Sequence, residues 1–246
     1  MFKEILPSLR MMAVLTVLTG LLYPAFMTAV AHFTFPVQAS GSLVTVNGQP
    51  IGSTLIGQNF SQSRYFHPRP SLAGSGYDAT ASGGSNLGPT SAKLLYGTTK
   101  LDAQNHEQVD FDGIALRLVH YCIDNALPYH ATLPLAQFND AQGHLDDVKL
   151  IKAFNDPSHT FIFTPQVAIP ADAVTASASG LDPEISPANA ELQIARIARA
   201  RKASPDQIRT LVAQSTERAW MGLIGEPRVN VLRLNLALDK AYATAE

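Results

Sequence analysis

The side chains most able to do covalent chemistry sit in one short stretch. Ser75 lies in Gly74-Ser75-Gly76, His67 is eight residues upstream, and Asp172 or Asp182 could orient an imidazole. Together they would make a serine hydrolase, but the Gly-x-Ser-x-Gly elbow that exposes such a nucleophile is missing. Serine, histidine and aspartate occur in most chains, so the set alone does not specify a triad. A second candidate is Ser82-Gly83-Gly84-Ser85-Asn86-Leu87-Gly88. A phosphate loop ends in Gly-Lys-Ser/Thr, whose lysine reaches the phosphates, whereas Pro89-Thr90 follows here. The expectation is a compact turn whose N–H groups form a nest. His106, His120, His130, His144 and His159 lack the i, i+4 pairing and carboxylate of a zinc helix, and no metal site is expected. Asp146-Asp147 and Asp110/Asp112 read as solvated faces or helix caps. Cys122 is the single cysteine, which excludes an internal disulfide, and its expected role is that of a small buried hydrophobe.

The elements that would position these groups start with a run free of charge, Met11 to Phe35. A bilayer core takes about 20 apolar residues in helical form, so the run reads as one transmembrane helix. Lys3 and Arg10 precede it, and the next charged residue is Arg64. The positive-inside bias then puts residues 1–10 in the cytoplasm and residues 36–246 outside, in an inner (plasma) membrane. Ala29-Val30-Ala31 would suit a signal peptidase, but the apolar region of a cleaved signal is about 7–15 residues long. A lipoprotein anchor would need a cysteine near the N-terminus. Pro24 frees a carbonyl that neighbouring helices can satisfy, and Gly20, Pro24, Ala25 and Ala29 are the expected helix-packing positions.

Beyond the anchor, Asn47-Gly48 between Ser42–Val46 and Ile51–Ile56 predicts a β-hairpin. Gln58 to Thr90 is a long loop of prolines and glycines with Tyr65, Phe66 and Tyr77, and loops of that length usually have a role. Residues 96–164 carry more charge and five of the seven histidines, the texture of an inserted segment. Within it Ile114 to Leu127 predicts a helix with Leu118, Tyr121 and Cys122 on one face. Ser186-Pro187 starts a helix that runs to Arg199, Arg201 and Lys202, and Ser204-Pro205-Asp206-Gln207 is a capping box. Val229 to Leu238 partly alternates as a strand does, but Asn230 as cap and its Ala/Leu content favour a helix. The fold class is α+β: one N-terminal transmembrane helix, then one mixed extracytoplasmic domain with an insertion. With 18 basic and 20 acidic residues interspersed, no field recruits nucleic acid.

Four segments carry a resemblance. They are Gly52-Ser53-Thr54-Leu55-Ile56-Gly57-Gln58-Asn59-Phe60 continuing through Tyr65-Phe66-His67-Pro68-Arg69-Pro70-Ser71; Ser82 to Thr90; Val174 to Pro183; and Gly225-Glu226-Pro227-Arg228-Val229-Asn230-Val231-Leu232. In order and spacing they resemble the C subunit family of the Kdp-type potassium-transporting P-type ATPase. Residues 96–164 exceed the connection expected there, Glu184 stands where that family often has histidine, and Ala178 where it often has glycine.

The resemblance implies a non-catalytic subunit of a high-affinity potassium pump. Its partners would be a channel-like A subunit, an ATP-hydrolysing B subunit, a small F peptide and membrane lipid. This chain has neither an Asp-Lys-Thr-Gly phosphorylation motif nor a Thr-Val-Gly-Tyr-Gly filter loop, so ATP and K+ would be handled by the complex, with no cofactor bound directly. The family is described as raising the ATP affinity of the B subunit; from outside the membrane such an effect must pass through the transmembrane subunits. Gln58, Asn59, Tyr65, Phe66, Arg69, Ser85 and Asn86 are the expected partner contacts. Two other readings are an anchored periplasmic hydrolase and nucleotide contact by the Val174 to Pro183 loop.

Overall fold

The computed structural model describes residues 2–219 and 221–242, and the chain divides into two compact units, Met1–Leu55 and Ile56–Glu246. The first unit opens with helix α1 (Phe2–Val17), passes through a π-helical turn at Leu18–Leu22 and continues as α2 (Tyr23–Thr34). Lys3–Thr34 forms a helix of 32 residues, long and apolar enough to cross a bilayer and unburied along its length. Proline lacks an N–H and clashes with the preceding turn. The helix absorbs Pro24 by widening just before it, where the Tyr23 N–H reaches back to the Leu18 carbonyl. Thr19 returns its hydroxyl to the Leu15 carbonyl at 2.7 Å, so the polar side chain is satisfied within the helix. A short helix α3 (Pro36–Ala39) leads into an antiparallel hairpin of β1 (Leu43–Val46) and β2 (Gln49–Ser53). Asn47 and Gly48 turn it with φ of 52° and 78°, the left-handed pair expected of Asn-Gly.

In the second unit the chain runs as extended loop to α4 (Ala92–Tyr96), capped by Ser91. The hairpin β3 (Thr98–Leu101) and β4 (Glu107–Phe111) precedes α5 (Gly113–Asp124). Strand β5 (Tyr129–Ala131), helix α6 (Asp147–Phe154) and strand β6 (Phe163–Pro165) follow, β5 pairing with β6. Then come β7 (Glu184–Ile185), α7 (Pro187–Arg201), α8 (Pro205–Ser215), β8 (Thr216–Glu217), β9 (Arg228–Asn230) and α9 (Val231–Ala241). The last strands form an antiparallel sheet in the order β7-β9-β8. The chain is thus mixed α and β behind one long apolar N-terminal helix.

Local chemistry explains the boundaries. Ser186 caps α7 with Pro187 at its first position, and Ser204 with Gln207 forms the reciprocal capping box of α8. The segment ambiguous between strand and helix is both. Val229 and Asn230 pair with β7, and the Asn230 side chain then caps α9 through the Arg233 N–H. Helix α5 is shifted from its expected register: Leu116, Val119 and Cys122 are fully buried, while Leu118 and Tyr121 lie half-buried.

Two hydrophobic clusters form. One joins Phe66 and Ile185 to Ile194 and Ile197 of α7, Ile208 of α8, and Leu234 and Leu238 of α9. The buried members of the other all lie between Leu116 and Phe163. Residues 96–164 also contain a repeat missed in the sequence: Asp102-Ala103-Gln104-Asn105-His106 and Asp140-Ala141-Gln142-Gly143-His144. In each, Oδ1 of the aspartate accepts the N–H groups two and four residues on, at 2.8–2.9 Å. The residue before each histidine has positive φ. Both are self-closed turns, and each histidine lies beside its own aspartate.

Candidate functional site

The extended stretch after Gly57 contains no strand, so its buried backbone must find partners elsewhere. Two side-chain amides supply them. Asn235 of α9 accepts the Phe66 N–H at 2.8 Å and donates to the Phe66 carbonyl at 3.0 Å. Gln193 of α7 does the same for His67, at 2.7 and 3.1 Å. Each amide stands in for one residue of a neighbouring strand. Both side chains are 1% exposed, so water cannot substitute for either.

Arginines complete the clamp. Arg196 donates to the carbonyls of Ser63 and Tyr65, to Asn125 and to Gln193. Burial without a bonded carboxylate pushes its pKa down to about 10. Arg201 reaches the Arg64 carbonyl and Asp239, and its guanidinium stands over the Tyr65 ring at 5.0 Å. The Tyr65 hydroxyl donates to the other oxygen of Asp239.

Further along, the loops of two sequence motifs are pressed together. The Gly83 N–H and the Ser82 hydroxyl both donate to the Ser179 carbonyl, at 2.9 and 3.0 Å. A Cβ on Gly84 would stand 2.8 Å from the Ala178 carbonyl oxygen, and one on Gly180 would stand 2.6 Å from that of Gly83. The glycines therefore permit backbone contact between loops nearly a hundred residues apart. Ser71 donates to the Gly180 carbonyl at 2.6 Å, while Arg69 bonds Asp182 at 2.7 Å. The Tyr77 hydroxyl donates to the Arg69 carbonyl; burial raises its pKa, and Asp182 reinforces the shift.

An open cleft of about 490 Å³ lies between this framework and helix α5. Asn59, Arg69 and Tyr77 line one side; Asp112, Arg117 and His120 line the other. Arg117 holds Asp112 through two bonds, of 2.5 and 2.7 Å, rather than leaving that carboxylate to cap α5. His120 meets Asp147 at 2.7 Å, and this bond raises the imidazole pKa against the opposing effect of burial. His67 is shifted the other way, chiefly by burial and then by the Arg196 charge.

The hydrolase set is not assembled. Asp172 is bonded to the backbone and hydroxyl of Ser186 and to Asn189, Asp182 is bonded to Arg69, and the His67 ring meets the Gln62 carbonyl. Among the described residues no group of three or more His, Cys, Asp or Glu side chains is set to hold a metal.

Of the expected partner contacts, Asn59 and Arg69 share the cleft. Gln58 is half-buried, Phe66 is wholly inside the core, and Tyr65 faces Asp239. Ser85 is half-buried, with its hydroxyl accepting the Leu87 N–H, and Asn86 is exposed at φ 53°. Gly20, Pro24, Ala25 and Ala29 are all exposed on the N-terminal helix. Sequence reasoning passed over Gln193, Arg196, Arg201 and Asn235, which hold the loop. The available signal was polar residues at helical spacing beside Ile194, Ile197, Leu234 and Leu238.

The framework is made from motifs far apart in sequence. The profile of a family described as "K+-transporting ATPase, c chain" matches residues 5–115 and 142–240. The chain belongs to this KdpC family. It is 42% identical over 246 residues to the "Potassium-transporting ATPase KdpC subunit" of Gemmatimonas aurantiaca, covering 100% of this chain and 96% of that one. The KdpC subunit of Mycobacterium bovis is 41% identical, covering 98% of this chain and all of its own. That of Beijerinckia indica is also 41% identical, covering 98% and 96%. A KdpC chain is an accessory subunit of a potassium-transporting ATPase rather than its catalytic one. Nothing in the cleft or the comparisons supports a hydrolase.

Proposed function

We propose that this chain is the membrane-anchored, non-catalytic subunit of an ATP-driven potassium uptake complex. It crosses the inner membrane once through residues 11–35, with residues 1–10 in the cytoplasm and residues 36–246 outside. The outer domain docks over the extracellular mouth of a channel-like A subunit, while the anchor packs through Gly20, Pro24, Ala25 and Ala29. An ATP-hydrolysing B subunit and a small F peptide complete the assembly. Residues 96–164 build a separate hydrophobic cluster, and within them 116–141, which stand outside the family profile, form the insertion.

The observation that carries the docking role is the clamped framework. Backbone at residues 63–67 is fixed by Asn235, Gln193, Arg196 and Arg201, and that at residues 82–84 by residues 178–180, so the exposed amides of Asn59 and Asn86 follow or precede anchored backbone and dock at low ordering cost. Any influence on ATP affinity is then coupling through the transmembrane subunits. Copurification with the A subunit and potassium uptake test the assignment. Asn59→Ala and Asn86→Ala variants that remain folded are expected to lose assembly or uptake; wild-type yields and uptake would remove these residues from the interface. A reporter fused after Glu246 should be active only outside the membrane.

A further inference from the structure

One charged side chain ties the loop at residues 63–67 to the insertion as well as to the core. Arg196 of α7 is 5% exposed, and its four acceptors are all neutral. Nη1 donates to the Ser63 carbonyl at 2.6 Å and the Tyr65 carbonyl at 2.8 Å, Nη2 to Gln193 at 2.7 Å, and Nε to the Asn125 side-chain oxygen at 3.0 Å. Asn125 closes α5 and belongs to residues 116–141, outside the family profile. It is 3% exposed, and its Nδ2 returns to the Tyr121 carbonyl at 2.9 Å. The Tyr121 hydroxyl donates to Asn189 Oδ1, which also accepts from Gln193. These bonds close a polar ring from Tyr121 through Asn189, Gln193, Arg196 and Asn125, in which α5 and α7 are linked.

A competing acceptor stands one residue back. Asp124, on the last turn of α5, is exposed, lines the cleft and forms no hydrogen bond or ion pair among the described residues. Its charge acts on Arg196, raising a guanidinium pKa that burial lowers. We propose that Arg196 is a two-position switch: as seen here it clamps the carbonyls of Ser63 and Tyr65, and in its other position it pairs with Asp124 and frees the loop at residues 63–67. A buried guanidinium resting on neutral acceptors is costly to hold, and a carboxylate partner relieves that cost. Asn125 decides the position. While its oxygen accepts the Nε–H, the guanidinium fork is aimed at the loop; a displacement of α5 that withdraws it leaves the Asp124 carboxylate to capture the cation. Gln193 loses its Nη2 donor in the same step, which loosens its hold on His67. Movement of the insertion is thereby converted into local opening of the framework, short of global unfolding. The switch lies wholly within the second unit and operates whichever partner that unit meets.

Hydrogen exchange on the detergent-solubilised full chain tests the switch. It is read at the Phe66 and His67 amides, which the switch releases, against the Val212 amide inside α8, which follows global stability. Asn125→Leu withdraws the Nε acceptor and should accelerate exchange at Phe66 and His67 by roughly 5-fold or more beyond any change at Val212. Asp124→Asn removes the competing charge. It should slow the same two amides relative to Val212, and combined with Asn125→Leu it should reverse most of the acceleration. An Asn125 with a merely structural role would give an acceleration that Asp124→Asn leaves in place. If Asn125→Leu does not fold, Asp124→Asn, at an exposed site, still reads the switch as slower exchange in the otherwise wild-type chain. Acceleration confined to α5, acceleration shared equally with Val212, or exchange at Phe66 and His67 that Asp124→Asn does not slow overturns the proposal.

Discussion

Asn235→Leu removes one amide while keeping the number of side-chain heavy atoms and the branch at Cγ, so it chiefly removes the hydrogen bonds that hold Phe66. In the wild type Asn235 satisfies both backbone groups of Phe66, whose side chain is 0% exposed. The variant leaves a buried N–H and a buried carbonyl without partners, each costing about 1–3 kcal/mol. Leucine returns part of this through added apolar contact with the surrounding core, so a net loss of about 3 kcal/mol is expected. For a domain of this size that corresponds to a fall in Tm of roughly 6–12 °C. Thermal unfolding of the detergent-solubilised full chain, followed by far-ultraviolet circular dichroism, measures it. Hydrogen exchange at the Phe66 amide should accelerate before the rest of the core opens. Gln193→Leu should act similarly on His67. Because Phe66 and His67 are adjacent, the double variant should cost less than the sum. A change in stability within about 0.5 kcal/mol for Asn235→Leu would refute the reasoning, since it is the size expected of an uninvolved surface site.

Gly84→Ala should destabilise by about 1–3 kcal/mol in denaturant unfolding, because its methyl meets the Ala178 backbone; Gly88→Ala, with open space around it, should be neutral. Asp147→Asn should remove a stabilisation present below about pH 6.5. With the His120 pKa raised in the folded state, that contribution is lost as pH rises through the folded value, so wild type and variant should converge at alkaline pH in paired thermal scans. His67 has the opposite sign: its pKa is lowered on folding, so its contribution is present above the unfolded value and is lost as pH falls, and His67→Gln should flatten the acid limb of the same scans. Asp239→Asn should cost about 1–3 kcal/mol in thermal unfolding, because the Arg201 side chain is 0% exposed and loses its carboxylate, while solvent around the half-exposed Asp239 moderates the loss.

Much of the local structure was legible. The Asn-Gly hairpin, the Ser186-Pro187 start and the Ser204 capping box are set by φ preferences and side-chain reach within four residues, and each formed where expected. The apolar N-terminal helix was equally plain, although it begins well before Met11, taking in Lys3 and Arg10. Less was readable where the partner lay far away. The Asp112 carboxylate, expected as a solvated face or cap, faces Arg117. The histidines, read as lacking carboxylates, include His120 bonded to Asp147, 27 residues away. Helix α5 buries a stripe shifted from Leu118 and Tyr121 because its partners, Leu150, Ile151 and Phe163, come from outside the helix.

The sequence by itself determined the apolar span, the element boundaries and, through four ordered motifs, the family. Those depend on composition, on interactions within a turn or two, and on patterns that need no geometry. Only the tertiary structure decided why the motif around Phe66 and His67 is rigid without being a strand: its partners are amides on two helices more than a hundred residues downstream. The same holds for the glycines at 83–84, whose purpose is backbone contact with residues 178–180. A buried amide satisfying a backbone and an exposed amide bonded to water have the same letter in the sequence, and only packing distinguishes them.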